Sequence, residues 1–258
     1  MCLIIAGYKI HPDYPLILAA NRDEVYQRPS QAARFWPDSP SLLAGRDIEH
    51  GGTWLGLNKS GRLAAITNYR DGRNKGSGHK SRGLLVSSYL LEQSAAPEFL
   101  QQCISDIADY DGFNLLLGCI DTLYFLSSRE RKYYQLTAGL YGISNGDFDS
   151  PWPKVERAKQ QMTRLQDDNR FNDHEALLDM LTDTHIPDDE ELPDTGIELE
   201  RERILAPAFI RTERYGTRVS TVVSVNKAGQ VKFSERNFNA DGAIENDSVY
   251  EFKIAGGR

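Results

Sequence analysis

The 258-residue chain has no apolar run near the roughly 20 residues that a membrane-spanning helix needs. Its start lacks the basic stretch of a signal peptide. The run Leu3 to Ala6 is short, and Lys9 and His11 follow at once. A cytoplasmic location is therefore expected. Cysteine is sparse: Cys2, Cys103 and Cys119, with no CxxC and no CxxCH spacing. That odd, scattered set argues against a disulfide framework, a zinc knuckle and covalently attached c-type haem. No GxGxxG and no Walker loop is present, so no phosphate-cradling βαβ unit is expected. Positive charge is not in excess. The formal net charge is -7 and the pI about 5.3, which argues against nucleic acid as a partner and against adhesion to anionic lipid. The acidic tract Asp188 to Glu191 has no metal-ligand spacing; it reads as surface, and no metal ion is expected.

What the chain does contain is ample for a core: 40% hydrophobic and 26% charged residues. CLIIAGYKI and PLILAAN are short apolar runs separated by the turn-rich spacer HPDY, and read as an antiparallel hairpin. A polar loop with prolines at 29, 37 and 40 follows. GTWLGLN and RLAAITN, split by KSG, read as a second hairpin. The basic, glycine-rich tract at 69–83 reads as mobile, and its SGHKSRG segment as a solvated loop by default, with a basic lid as the alternative that composition suggests. Helical spacing runs over 84–94 and 96–109. Strands are predicted at 113–119, 122–128, 131–136 and 139–144. A proline-started helix is predicted over 151–166, then one capped by Asn172 or Asp173. HIPDDEELPDTGIELERER reads as a surface loop, and final strands lie near 218–226, 229–236 and 248–254. Strands and helices come in blocks, which favours an α+β arrangement of antiparallel sheets covered by helices.

The chemistry-bearing residues cluster around the first hairpin. Removal of Met1 would leave Cys2 with a thiol and a free α-amine, whose reference pKa of about 7.7–8 suits it to move the thiol proton. One residue would then supply nucleophile and base. The alternative is a small buried apolar residue. Asp23 ends the second apolar run and is placed to hold that amine. Asn68 ends RLAAITN and offers an amide donor of the kind found in oxyanion holes. Asn145, in GISNGDFDSPWPK, is a third polar residue expected at a strand end.

GGTWLGLNKSGRLAAITNYRD, NRDE, SNGDFDSPWPK, LPDTG and YGTRVSTVV, in that order from Met1 to about Phe238, resemble the NRDE family, that of transport and Golgi organisation protein two and its bacterial relatives. The resemblance implies one domain over residues 1–258 and a fold like the N-terminal-nucleophile hydrolases, a four-layer αββα sandwich. Against the cysteine hydrolases of that superfamily, Cys2 matches the nucleophile. Asp23 matches the aspartate, Asn68 and Asn145 the two asparagines, and Arg218 the late arginine. Ala20 stands where those enzymes carry an arginine three residues before the aspartate. Arg22, beside Asp23, is new; pairing with Asp23 or blocking the pocket would oppose hydrolysis.

The family resemblance implies haem trafficking: a carrier of haem or another amphipathic anionic small molecule, with haem as cargo rather than permanent cofactor. Transient contact with membranes or haem acceptor proteins goes with that role. Asn21, Arg22, Asp23, Glu24, Arg46, Trp54, Asn68, Tyr69, Arg70, Asn145 and Arg218 are the candidate ligand-binding residues. The arginines would meet propionates or phosphates, and Tyr69, Trp54 and Trp36 would supply apolar walls. His50 and Cys2 are the foremost candidates for the haem iron, with His11, His79, His174 and His185 behind them. The alternatives are an N-terminal cysteine amide hydrolase acting on a small amide, and an acyl-CoA or lipid binder.

Overall fold

The computed structural model describes residues 3–74 and 76–255. Cys2 and Met1 lie outside them. The first half of the chain carries β1 (Leu3–Tyr8), β2 (Leu16–Val25), β3 (Ser30–Trp36), β4 (Ser39–Asp47), β5 (Leu55–Asn58), β6 (Leu63–Asn68), α1 (Gly83–Leu91) and α2 (Ala96–Ser105). The rest of the chain carries β7 (Phe113–Gly118), β8 (Leu123–Ser127), β9 (Lys132–Gln135), β10 (Gly139–Ile143), α3 (Pro153–Asp167), α4 (His174–Met180), α5 (Leu199–Leu205), β11 (Tyr215–Val225), β12 (Gln230–Phe238) and β13 (Ile244–Lys253).

The strands form two antiparallel sheets. One runs β10-β1-β2-β11-β12-β13 and the other β3-β4-β5-β6-β7-β8-β9. Apolar side chains of both sheets, including Ile4, Leu18, Trp54, Leu116 and Phe233, meet in a central core. The outer face of the first sheet packs on α3 and α4 through Val155, Met162 and Leu177. That of the second packs on α1 and α2 through Val86, Leu90 and Leu100. The result is the expected αββα sandwich. Among the described residues, no helix is long and apolar enough to cross a membrane.

Several local expectations change. The first hairpin turns over residues 9–15 rather than four residues, since Tyr8 pairs with Leu16. β2 does not stop at the NRDE segment. It pairs with β1 from Leu16 to Asn21 and with β11 from Leu16 to Val25, so its polar residues are strand residues with fixed sides. The proline-containing loop contains β3 and β4. Pro40 is tolerated near the hairpin end of β4, where the ladder shifts register between Phe35 and Trp36. The acidic loop contains the short helix α5, whose Glu202 is buried. Asp173, of the two candidate caps, starts α4, accepting from the Ala176 amide at 3.1 Å.

His174, one of the iron-ligand candidates, instead ties α4 to the first sheet. Its Nδ1 lies 2.8 Å from Ser234 Oγ and its Nε2 2.8 Å from Ser224 Oγ, so both ring nitrogens are occupied. Burial, with Lys232 adding repulsion, pushes its pKa down to about 4. The unfolded chain takes up this proton first. Its contribution is therefore full above the ordinary pKa of about 6.5 and is lost as pH falls to about 4, amounting to roughly 3 kcal/mol. Urea unfolding at pH 7, 5.5 and 4 should show that loss, and His174→Gln should flatten it.

Candidate functional site

Alternation along β2 decides which polar residues share a cavity. Leu16, Leu18 and Ala20 face the core between the sheets, while Ile17 and Ala19 face the helices. Arg22 and Glu24 continue the first row, and Asn21 and Asp23 the second. Asn21 Nδ2 donates to the carbonyls of Leu181 and Ala208, each at 2.8 Å, and its Oδ1 accepts from Ser220 Oγ at 2.6 Å. Asp23, only 2% exposed, accepts from Thr217 Oγ1 at 2.6 Å. Its Oδ2 is buried with no partner among the described residues. Arg22 and Asp23, adjacent in sequence, thus point to opposite sides and do not pair.

Arg22 and Glu24 open onto a cleft of about 260 Å³ at the edge of the inter-sheet space. Trp54, Ile66 and Asn68 line it from the second sheet, and residues 78–83 close one side. Arg22 is 4% exposed, and its guanidinium carbon lies 4.4 Å from the centre of a Trp54 ring. Trp54 in turn lies against Gly45, where a Cβ would come within 2.3 Å of its ring. Arg22 Nη2 is 3.7 Å from Glu24 Oε2, a loose pairing. Arg22 Nη1 and Trp54 Nε1 are buried without a partner among the described residues. Burial lowers the Arg22 pKa, although Glu24 opposes it. Ala20 lies on the same face about 7 Å away along the strand.

The other charges of the cleft are better compensated. Arg28 binds Asp47 at 2.6 Å and approaches Glu24 at 3.8 Å. Burial raises the Asp47 carboxyl, but the Arg28 hydrogen bond and charge prevail and hold it below the usual range. Lys80 binds Asp109 at 2.6 Å, and Arg82 donates to the Gly112 carbonyl at 3.1 Å. The Gly78 amide donates to Asp111, and those of His79 and Lys80 to the Asp109 carbonyl. The tract read as mobile is thus a wall tied to residues 109–112.

Asn68 lines this cleft, and Asn145 stands behind it. Asn145 is buried, its Nδ2 donating to the Asn68 carbonyl at 3.0 Å. With Thr67 Oγ1 donating to the Ser144 carbonyl at 2.6 Å, it clamps the ends of β6 and β10 across the two sheets. Arg218 sits at a bulge in β11 opposite Arg22 and donates to the Arg28 carbonyl. Bulges re-aim side chains in this way. The remaining candidates lie elsewhere. Arg46 forms a two-point ion pair with Asp38 at 2.8 and 2.9 Å and stacks on Trp36. Tyr69 donates to Asp147 at 2.9 Å; burial and that carboxylate push its pKa up to about 12. Tyr69 and Arg70 line a second cleft of about 350 Å³ with Trp152.

Among the histidines, exposed His50 and His79 line the first cleft. His11 accepts from the amides of Asp13 and Tyr14 and stacks on Phe171, and His185 is an exposed loop residue. Cys2 lies outside the described residues. Sequence reasoning missed Arg28, Asp47, Lys80, Arg82 and Asp111. Arg28 and Asp47 flank strands hidden among prolines. Lys80 and Arg82 were visible only as basic loop composition.

The family model described as Transport and Golgi organisation 2 matches residues 1–240. A Transport and Golgi organization protein 2 homolog of Bos taurus is 34% identical over 276 residues, covering 98% of this chain and 99% of that relative. Among solved structures, a variant of conjugated bile acid hydrolase from Clostridium perfringens aligns with a TM-score of 0.55 at 9% identity, covering 98% of this chain and 92% of that one. A Caenorhabditis elegans ortholog of N-acylethanolamine-hydrolyzing acid amidase aligns at 0.51 and 12% identity, covering 86% and 92%. These two agree with the sandwich and, at such identities, speak to fold alone.

Arg70, in YRD, is occupied by structure. It binds Glu202 at 2.6 Å, and Glu202 is 3% exposed and also accepts from the Thr195 amide and hydroxyl of LPDTG. Arg70→Ala should leave that carboxylate buried and uncompensated, costing about 3–5 kcal/mol in urea unfolding. Glu202→Gln in the same background should recover part of it.

Proposed function

The chain belongs to the Transport and Golgi organisation 2 family, and from that premise we propose that it is a cytoplasmic carrier of an amphipathic, carboxylate-bearing ligand. Haem, the cargo that the family resemblance implies, is the leading ligand. The observation that carries this reading is Arg22, a buried cation with one loose counter-ion and an unpaired, buried Nη1, in the wall of an open cleft. Leaving such a donor unmet is costly, and an incoming carboxylate both pairs the charge and completes the hydrogen bonds.

Size refines the picture. At about 260 Å³ the cleft is below the roughly 300 Å³ at which small-molecule pockets begin. In this proposal it takes the propionate edge of haem, with most of the macrocycle outside. Loose seating suits a protein that must pass its cargo on. His50 and His79 at the opening are the candidate iron ligands among the described residues, and Cys2 remains a candidate outside them. Haem acceptor proteins and transient membrane contact belong to the same proposal.

A second reading has one observation of its own. Asp23 Oδ2, buried and without a described partner, is on the strand whose Asn21 pairs with Leu3. An N-terminal cysteine amide hydrolase needs a carboxylate there to hold its α-amine, with Asn68 as oxyanion donor. The two solved structures named above are a conjugated bile acid hydrolase and an N-acylethanolamine-hydrolyzing acid amidase ortholog. A lipid or acyl-CoA binder would use the same cleft without hydrolysis.

Hemin titration followed in the Soret region should saturate at one site. Arg22→Ala should weaken binding by about tenfold or more, the worth of a charge-assisted pair. Absence of a saturable shift would remove haem as the cargo. Cys2→Ala should still saturate at one site, and a displaced Soret maximum in that variant would identify Cys2 as the iron ligand. If intact mass shows Met1 removed and Cys2→Ala abolishes hydrolysis of an N-acyl amide, the hydrolase reading replaces the carrier.

A further inference from the structure

Arg22 Nη1, Trp54 Nε1 and Glu235 Oε2 are all buried without a partner among the described residues, and all three belong to the layer between the sheets. On β12 the row of Val231 and Phe233 faces that layer, and Glu235 continues it. Ala20 pairs with Thr221 and Thr221 with Glu235, while Arg22 pairs with Val219 and Val219 with Asn237. Glu235 thus stands one row inward of Arg22, two strands away. It is 1% exposed, and its Oε1 accepts from the Ala33 amide at 2.6 Å and from Asn237 Nδ2 at 3.2 Å.

We propose that Arg22 Nη1 and Trp54 Nε1 form a two-donor subsite for one ligand carboxylate, and that Glu235 is the internal carboxylate competing for the field of Arg22. The ligand's identity rests on the carrier reading; the subsite does not. An indole N–H is a donor only, and so is a guanidinium, so both need acceptor oxygens. A carboxylate has two such oxygens and carries the charge that Arg22 lacks. The guanidinium lies over the ring and the ring is seated on Gly45, so the two donor groups are fixed neighbours. An esterified ligand supplies neither the charge nor the paired oxygens.

Glu235 makes the subsite sensitive to protons. Burial pushes its carboxyl up to about 7, while Arg22 and the hydrogen bonds from Ala33 and Asn237 pull the other way. A ligand carboxylate at Arg22 removes part of that pull. Glu235 then takes up a proton as the ligand binds, and affinity falls as pH rises through neutrality. Other groups face the same space. Thr221 and Asn237 adjoin Glu235, Tyr250 donates to the Ala33 carbonyl, and Glu24, Arg28, Asp47 and Arg218 surround Arg22. His50 and His79 on the cleft wall also favour anions when protonated. Their effect has the same sign, and Glu235→Gln separates the two.

The test uses the three tryptophan indole N–H resonances of the full-length protein. Trp36 Nε1 already donates to the Ala44 carbonyl, and Trp54→Phe assigns the Trp54 peak while keeping a ring under Arg22. Diamagnetic protoporphyrin IX should move the Trp54 peak, and its dimethyl ester should not. Trp54→Phe should bind protoporphyrin IX several-fold more weakly. Binding of the acid that leaves the Trp54 peak in place, or an equal shift with the ester, would overturn the subsite. If no porphyrin binds but decanoate moves the Trp54 peak, the subsite stands and haem falls. Between pH 6 and 8 the wild-type affinity should drop more steeply than that of Glu235→Gln. Equal slopes would assign the effect to the histidines and overturn the role of Glu235.

Discussion

The site depends on one constraint: β2 is hydrogen-bonded along both edges. With β1 on one side through Asn21 and β11 on the other through Val25, its residues cannot rotate, and a one-residue slip would reverse every side chain. Asn21-Arg22-Asp23-Glu24 is therefore divided into two pairs with separate tasks. Asn21 joins the first sheet to the helix-side segments at Leu181 and Ala208, and Asp23 bonds Thr217 on the neighbouring strand β11. Arg22 and Glu24 face the other sheet across the cleft. Opposite charges side by side in sequence are, in the fold, on opposite faces.

The rest of the cleft adapts to the buried guanidinium. Gly45 removes a side chain so that Trp54 can lie under Arg22, and the Arg218 bulge keeps a second cation turned to the Arg28 carbonyl. Asn145 and Thr67 clamp the two sheets at the neighbouring strand ends. That clamp fixes the backbone of Asn68, the one predicted oxyanion residue that lines the cleft. Such a rigid frame favours recognition by preorganised donors over closure around a ligand.

Much of this architecture was legible in the chain. Alternating apolar runs and glycine-marked turns located β1, β2 and β5 through β8. The proline start located α3. The family motifs led to the αββα sandwich. The hairpin of β3 and β4 was not legible, because SQAARFW buries only Ala33 and Trp36 and prolines flank it. Nor was the role of Arg70, since its partner Glu202 is 132 residues away in an acidic stretch that reads as loop. Arg22 and Trp54 were marked as ligand residues, but as separate groups. Their contact depends on sheet-to-sheet packing, which no local pattern encodes. Glu235, in a strand of ordinary composition, carried no sequence mark at all.

The central claim is that the buried guanidinium of Arg22 is the anchor for the ligand's carboxylate. A crystal structure of the full-length protein grown with hemin tests it most directly. The account predicts a propionate oxygen about 2.7–3.1 Å from Arg22 Nη1, with the second oxygen facing Trp54 Nε1. Propionates in bulk solvent or in the Tyr69–Trp152 cleft, with Arg22 still paired only to Glu24, would contradict it.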